Sequence, residues 1–117
     1  MVQLDRLSTL PQDWDSYGAD PPSVRAIAIA ARIIAGFQEQ YRGPVSSSPL
    51  PLAIVPLSGG VQLEWNASSG SLEIEIDRDG QIGFLLETGV DPDLHYEEEN
   101  SITVDRAIDL AANLIHR

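Results

Sequence analysis

Carboxylates are the side chains that this chain offers most readily for chemistry. Its 117 residues include 18 Asp and Glu against 7 Lys and Arg. Glu73 and Glu75 stand at alternate positions of a strand-like pattern, so both point to one face, roughly 7 Å apart along the strand. That spacing suits the paired carboxylates of a glycosidase. A flat sheet face offers no cleft for a sugar, however, so the pattern does not favour that activity.

Histidines and loop carboxylates give two weaker candidates for metal chemistry. His95 stands beside Glu97, Glu98 and Glu99, which together have donor atoms for a divalent cation. The simpler interpretation is an acidic loop with an incidental histidine. The run 77–80 begins like a calcium loop, but Thr88 stands where an EF-hand requires Glu. A hairpin turn explains that run fully.

Catalytic constellations of other kinds are missing from the sequence. A nucleophilic triad needs a histidine held by an acid and placed near a hydroxyl, and neither His95 nor His116 is placed in that way. The run 58–60 is too short for a phosphate cradle, and the chain has no Lys to complete one. We therefore predict that the protein is not an enzyme, with no catalytic residue, no metal ligand and no cofactor.

The net charge of −11 is concentrated in the middle of the chain. Residues 44–100 hold eleven acids and one Arg, a net of −10, whereas 1–43 carry −1 and 101–117 are neutral. Such acidity argues against direct binding of nucleic acid and directs attention to a basic protein partner. Neither a membrane span nor a signal peptide is expected. The absence of Cys excludes disulfides, and we expect a cytoplasmic protein.

Two main helices are predicted to position these charges. The first runs over 24–42, with Ser23 as its N-cap and Gly43 as its C-terminal cap. Its predicted apolar stripe consists of Ile27, Ala31, Ile34 and Ala35, with Ile33 and Phe37 beside it. The second lies within 101–117 and is capped by Thr103 or Ser101. Its predicted apolar face consists of Val104, Ala107, Ile108, Ala111, Leu114 and Ile115. A shorter helix over 2–10 is also predicted.

Period-two alternation predicts the strands. A short strand at 52–55 lies between prolines, which places it at a sheet edge. Apolar residues then alternate with polar ones in three further strands. Their core residues are Val61, Leu63 and Trp65; Leu72, Ile74 and Ile76; and Ile82, Phe84 and Leu86. Residues 87–100, with six acids and no base, are predicted to form an acidic loop.

These elements predict an α+β fold. We expect a two-layer sandwich in which a three- or four-stranded antiparallel meander is covered on one face by two main helices. The chain is expected to form a single domain over 1–117. It divides into a helical part (1–43), strands with the acidic loop (44–100) and a C-terminal helix (101–117).

Hairpin pairing predicts what the uncovered face of the sheet presents, here called the outer face. Symmetric pairing places Glu64 opposite Glu73 and Gln62 opposite Glu75. The same face then also holds Asp77, Gln81 and Leu85. No Lys or Arg on these strands offsets the repulsion between facing glutamates. Two interpretations remain open, a solvated acidic face and a docking surface for a basic partner. A salt-rich cytoplasm or a GC-rich genome would also explain many acids without Lys.

The aromatic loop 14–19 is the most distinctive stretch of the chain. Trp14, Asp15 and Tyr17 either close one end of the core as a lid or form a binding loop, since Trp and Tyr are favoured at interfaces. Arg25 and Arg32 are candidates to pair with Asp15 or Asp20.

Two motifs carry a resemblance to short bacterial proteins of unassigned function. The first is Leu10-Pro11 with Trp14-Asp15-Ser16-Tyr17-Gly18-Ala19 and Pro21-Pro22. The second is Pro56 with Gly59-Gly60-Val61-Gln62-Leu63-Glu64-Trp65, continuing to Asp79-Gly80 and Ile82. The likeness covers about two-thirds of the chain. It implies a bacterial or phage origin and a non-enzymatic role, and no site residue carries over from it.

The sequence therefore predicts a small acidic module that binds or neutralises a basic partner, as an antitoxin or an inhibitor does. The candidate contact residues are Trp14, Asp15, Tyr17, Glu64, Glu73, Glu75, Asp77, Glu97, Glu98 and Glu99. The alternatives are a structural or homodimeric module that pairs through strand 52–55 or the sheet face, and a small-ligand binder with a pocket under Trp14 and Tyr17.

Overall fold

A computed structural model describes residues 10, 20–40, 53–89 and 92–115. Two helices and five strands make up this part of the chain. In chain order they are α1 (Val24–Gln40), β1 (Ala53–Leu57), β2 (Gly60–Ala67), β3 (Gly70–Ile76), β4 (Ile82–Thr88), β5 (His95–Ile102) and α2 (Val104–Ile115). The strands form one antiparallel sheet in the order β1-β2-β3-β4-β5. This confirms the α+β fold, with five strands instead of three or four.

The buried residues of the central strands lie on one face of the sheet, as the alternation predicts. Val61, Leu63 and Trp65 of β2 are buried, and so are the corresponding residues of β3 and β4. Helix α1 packs on β2 and β3, and α2 packs on β2, β3 and β4. The ring of Phe37 from α1 contacts Trp65 edge-on, with ring centroids 5.5 Å apart. One core therefore fills the space between the helices and the middle of the sheet.

The buried stripe of α1 differs from the predicted one. Ala26, Ala30, Ile33, Ile34 and Phe37 are buried, whereas Ala31 and Ala35 are exposed. Alanines occur on every side of this helix, so their pattern does not select a face. The large side chains Ile33 and Phe37 are both buried, and Phe37 contacts Trp65, so these residues decide the rotation instead. Of the predicted residues, Ile33, Ile34 and Phe37 are buried and Ile27 packs partly buried against the core, so the prediction was wrong only at Ala31 and Ala35.

The cap and the apolar face of α2 agree with the prediction. The Thr103 hydroxyl accepts a hydrogen bond from the backbone N–H of Arg106 at 3.1 Å, so Thr103 is the N-cap. Within the predicted apolar face, Ala107, Ile108, Ala111 and Leu114 are buried. Val104 and Ile115 pack partly buried against the core. Leu110 and Ala112 are buried as well.

Gly36 brings the two helices close together. A Cβ atom at this position would overlap Cδ1 of Ile108, and Cγ1 of the same side chain would lie 3.0 Å away. Ile108 is buried, so it has little room to move aside. The missing side chain at position 36 therefore sets how closely α1 and α2 approach.

The predicted acidic loop over 87–100 is wrong at both of its ends. Residues 87 and 88 complete β4, and His95–Ile102 forms β5 along the edge of the sheet. No hydrophobic alternation marks β5, because its residues from His95 to Ser101 are exposed. Glutamate also has a low strand propensity. The segment forms a strand because it pairs with β4, and the residues within the segment give no indication of that pairing.

Several predictions fall outside the described residues. These are the helix over 2–10 apart from Leu10, the cap at Gly43, the aromatic loop 14–19 and His116. Of the residues predicted for strand 52–55, Ala53 begins β1, which continues to Leu57 at the sheet edge. Within the described ranges, neither helix is long and apolar enough to cross a membrane.

Candidate interaction face

The outer face of the sheet gathers glutamates from four adjacent strands. Glu64 lies opposite Glu73, and Gln62 lies opposite Glu75, as predicted. Glu73 in turn faces Leu85, which faces Glu98 of β5. Alternation places these residues on the side away from the buried core. The glutamates of the outer face are Glu64, Glu73, Glu75, Glu87 and Glu98.

The carboxylates of the outer face differ in exposure, and one of them accepts a hydrogen bond from a side-chain amide. Glu73, Glu75 and Glu98 are exposed, while Glu64 and Glu87 are half-buried. The side-chain amide of Gln62 donates a hydrogen bond of 2.7 Å to Glu64. This bond satisfies one acceptor of Glu64 but leaves its charge in place, opposite Glu73. Directly paired Cβ atoms lie about 5 Å apart in such sheets, so the two charges repel each other.

Basic residues stand elsewhere in the described chain. The five strands hold no Lys or Arg and seven glutamates, which are Glu64, Glu73, Glu75, Glu87, Glu97, Glu98 and Glu99. In the two helices, three arginines balance three acids. Arg106 lies over the Phe84 ring at 5.8 Å, on the helix side of the sheet. The described fold thus places a neutral helical layer on a strongly acidic sheet.

Asp77 contributes less to the outer face than predicted, because the hairpin turn engages its carboxylate. Its Oδ1 accepts hydrogen bonds from the backbone N–H groups of Asp79 and Gln81, both at 2.9 Å. This arrangement stabilises the turn between β3 and β4. Asp77 is exposed, but the geometry gives it a structural role that needs no calcium ion.

The three consecutive acids 97–99 do not share one face. Glu98 lies opposite Leu85 and joins the outer face, whereas Glu97 and Glu99 lie opposite Leu86 and Phe84 on the helix side. All three side chains are exposed. Of the predicted contact residues within the described ranges, Glu64, Glu73, Glu75 and Glu98 come together on the outer face, and Asp77 lies at its end beside Glu75.

Gly83 leaves a shallow hollow in the outer face, between β3 and β5. The hollow has a volume of about 290 Å³. The β4–β5 register shifts at this point, so β5 carries an extra residue. A Cβ at position 83 would lie 3.0 Å from the carbonyl oxygen of Glu99, in tight contact with the β5 backbone. The residues that line the hollow are Glu75, Asp77, Gln81, Gly83 and Asn100.

An ion pair that the sequence prediction did not include lies at one end of the sheet. Asp20 pairs with Arg78, with 2.7 Å between carboxylate oxygen and guanidinium nitrogen. The predicted pairing of Arg25 or Arg32 with Asp15 lies outside the described residues. The backbone N–H of Ser23 donates to the carbonyl of Gly59, and the N–H of Gly59 donates to the carbonyl of Asp20. The start of α1 is therefore held on the turn between β1 and β2. Both charged side chains of the pair are partly exposed, so it contributes little alone.

Trp14, Asp15 and Tyr17 lie outside the described residues, and their part in any site stays a prediction. Within the described ranges, no group of three or more His, Asp or Glu side chains is arranged to hold a metal ion. Glu87 belongs to the outer face but was assigned to the acidic loop. Extending the alternation of Gly83 and Leu85 by one step would have found it.

The chain matches no family model, and neither the curated proteins nor the solved structures show a significant similarity to it. We therefore infer the function from the outer face and its geometry.

Proposed function

We propose that this protein is a small acidic interaction module that binds a basic protein through the outer face of its sheet. The observation that supports this most directly is the pairing of Glu64 with Glu73 on a sheet face that neither described helix covers. Like charges directly opposite each other destabilise a sheet. A basic partner would turn that internal repulsion into attraction across an interface. It would also accelerate the encounter of the two proteins.

The placement of the charge supports binding better than it supports solubility alone. An acidic composition that merely keeps a protein dispersed needs no preferred face. Within the described ranges the two helices are neutral, while the five strands carry seven glutamates and no base. The proposal covers a neutralising role, such as that of an antitoxin or an inhibitor, in a cytoplasmic setting and without catalysis.

The proposal can be tested with an oligo-arginine peptide and two charge-matched variants. The first variant, Glu64→Gln with Glu73→Gln and Glu75→Gln, removes three charges from the outer face. The control, Asp79→Asn with Asp93→Asn and Asp109→Asn, removes three charges from exposed positions away from it. Both variants therefore have the same net charge. Circular dichroism shows whether each one keeps the wild-type fold.

Isothermal titration at low salt should separate the two variants. If each outer-face carboxylate contributes about 0.5 kcal/mol, the outer-face variant should bind about tenfold more weakly than the wild type. The control should lose less than about threefold. An equal loss in both variants would show that bulk charge alone attracts the peptide, and the proposed face would then be wrong.

A homodimer is the second candidate, and β1 is the observation that favours it. This strand lies at the opposite edge of the sheet from β5 and carries no charge. Pairing of two β1 strands would join two sheets into one. Light scattering at high protein concentration tests this alternative, because a monomeric mass excludes a stable dimer.

A further inference from the structure

The outermost strand, β5, has a free edge within the described part of the chain. It pairs with β4 on one side, and no other described strand adjoins it. The helices pack on β2, β3 and β4, so β5 extends beyond their cover. Its residues from His95 to Ser101 are exposed. An edge of this kind presents backbone N–H and C=O groups that can pair with another strand.

The charges on β5 disfavour a second copy of the same strand. Glu97, Glu98 and Glu99 are consecutive, so their carboxylates alternate between the two faces of the sheet. An antiparallel pair of β5 strands centred on Glu98 would place glutamates opposite glutamates. That arrangement is destabilising. The same three carboxylates fit a strand of opposite charge.

We infer that the basic partner contributes an extended segment that pairs with the edge of β5 as a sixth strand. The inference rests on the proposed function and adds the form of the partner to it. Hydrogen bonds between main chains provide affinity in such strand addition, and the side chains provide specificity. Because acids occupy three successive positions, the segment is expected to carry three successive basic residues. A partner that touched the outer face alone would need basic residues only at alternate positions.

The neighbourhood of Glu97 is suited to the long side chain of Arg or Lys. A hollow of about 300 Å³ lies there, lined by Leu86, Thr88, His95, Tyr96 and Glu97. Leu86 and Thr88, on the same face as Glu97, offer apolar surface to the methylene groups of such a side chain, and Glu97 offers a carboxylate to its charged end. Tyr96 lies opposite Glu87, so its ring adds apolar surface on the outer face. Tyr96 is 62% exposed, although it is a large aromatic residue. An added strand would cover this surface.

Two peptides of identical charge test the inference on the intact protein. The first has a central arginine–lysine–arginine run flanked by valine and threonine, which favour the extended conformation. The second has the same sequence, but its central backbone amides are N-methylated and cannot donate hydrogen bonds. Strand addition predicts that N-methylation weakens binding at least tenfold. Hydrogen exchange followed by NMR should show slower exchange of β5 amides with the first peptide only, while β1 amides stay unchanged.

The outcomes separate this inference from the proposed function. Equal affinity for both peptides, with unchanged β5 amides, would overturn strand addition. In that case the outer-face variant, Glu64→Gln with Glu73→Gln and Glu75→Gln, still reports on the proposed face. A third variant, Glu97→Gln with Glu98→Gln and Glu99→Gln, should weaken binding of the first peptide about tenfold or more. Wild-type affinity in this variant would also contradict the inference.

Discussion

At the residue scale, the absence of a side chain at position 36 determines how closely the two helices pack. Glycine inside a helix normally costs about 1 kcal/mol relative to alanine. Gly36 is nevertheless in the middle of α1, and a Cβ there would overlap the buried side chain of Ile108. Close packing of the two helices therefore favours glycine at position 36 by more free energy than helix propensity disfavours it.

Gly36→Ala is expected to destabilise the protein by about 1 kcal/mol or more, because overpacking of about 1–3 kcal/mol exceeds the gain in helix propensity. Urea denaturation measures the change. Ile108→Val removes the Cδ1 atom that the new methyl group would meet. The double variant should therefore be more stable than the sum of the two single effects predicts. Strict additivity would show that the two positions do not compete for space.

At the element scale, the first turn of α1 is bound to two hairpin turns. The Ser23 hydroxyl accepts a hydrogen bond from the N–H of Ala26 at 3.0 Å and donates one to the carbonyl of Arg78 at 2.8 Å. The first bond caps the helix, and the second fixes the helix to the β3–β4 turn. Ser23 thus connects a local signal in the sequence to a contact 55 residues away.

Ser23→Ala is expected to lower the free energy of unfolding by about 1–2 kcal/mol, since it removes the cap and leaves the Arg78 carbonyl without this donor. Thr103→Ala is the matched comparison, because the Thr103 hydroxyl caps α2 by accepting a hydrogen bond from the backbone N–H of Arg106. It should cost about 1 kcal/mol. A loss at Ser23 no larger than that at Thr103 would mean that the bond to Arg78 adds nothing.

The strands differ in how far the sequence predicts them. β2, β3 and β4 have one buried face, so strict alternation predicted both their core residues and the pairing of Glu64 with Glu73. β5 has no buried face and therefore no alternation, so its residues were assigned to a loop. The sequence likewise predicted the position of only part of the candidate site. Glu64, Glu73 and Glu75 lie on the face that the alternation predicted, whereas Glu87 was assigned to the loop and Glu97 and Glu99 lie on the other face.

Glu73→Gln should stabilise the sheet by several tenths of a kcal/mol at low salt, because it removes the repulsion from the directly opposite Glu64. The gain should shrink at high salt, where the charges are screened. Glu97→Gln is the matched control, since Glu97 lies opposite Leu86. Urea denaturation of both variants at two salt concentrations checks the comparison. Equal effects of the two substitutions would contradict a role for the Glu64–Glu73 pair.

At the scale of the whole molecule, the charge separates into layers. The described helices are neutral, and the described strands carry seven glutamates without a base. The hydrophobic core between these layers must stabilise the sheet against the repulsion between its own carboxylates. Folding and binding therefore depend on the same carboxylates in opposite senses, since these groups weaken the isolated fold and attract a basic partner.

This opposition predicts that salt has opposite effects on stability and on binding. Raising NaCl from about 10 to 300 mM shortens the Debye length from about 30 Å to less than 8 Å. The free energy of unfolding should then increase, while the affinity for oligo-arginine falls. Both slopes should be smaller in the variant with Gln at positions 64, 73 and 75 than in the charge-matched control with Asn at 79, 93 and 109. If the two variants respond to salt alike, net charge governs the molecule and the layered arrangement has no energetic consequence.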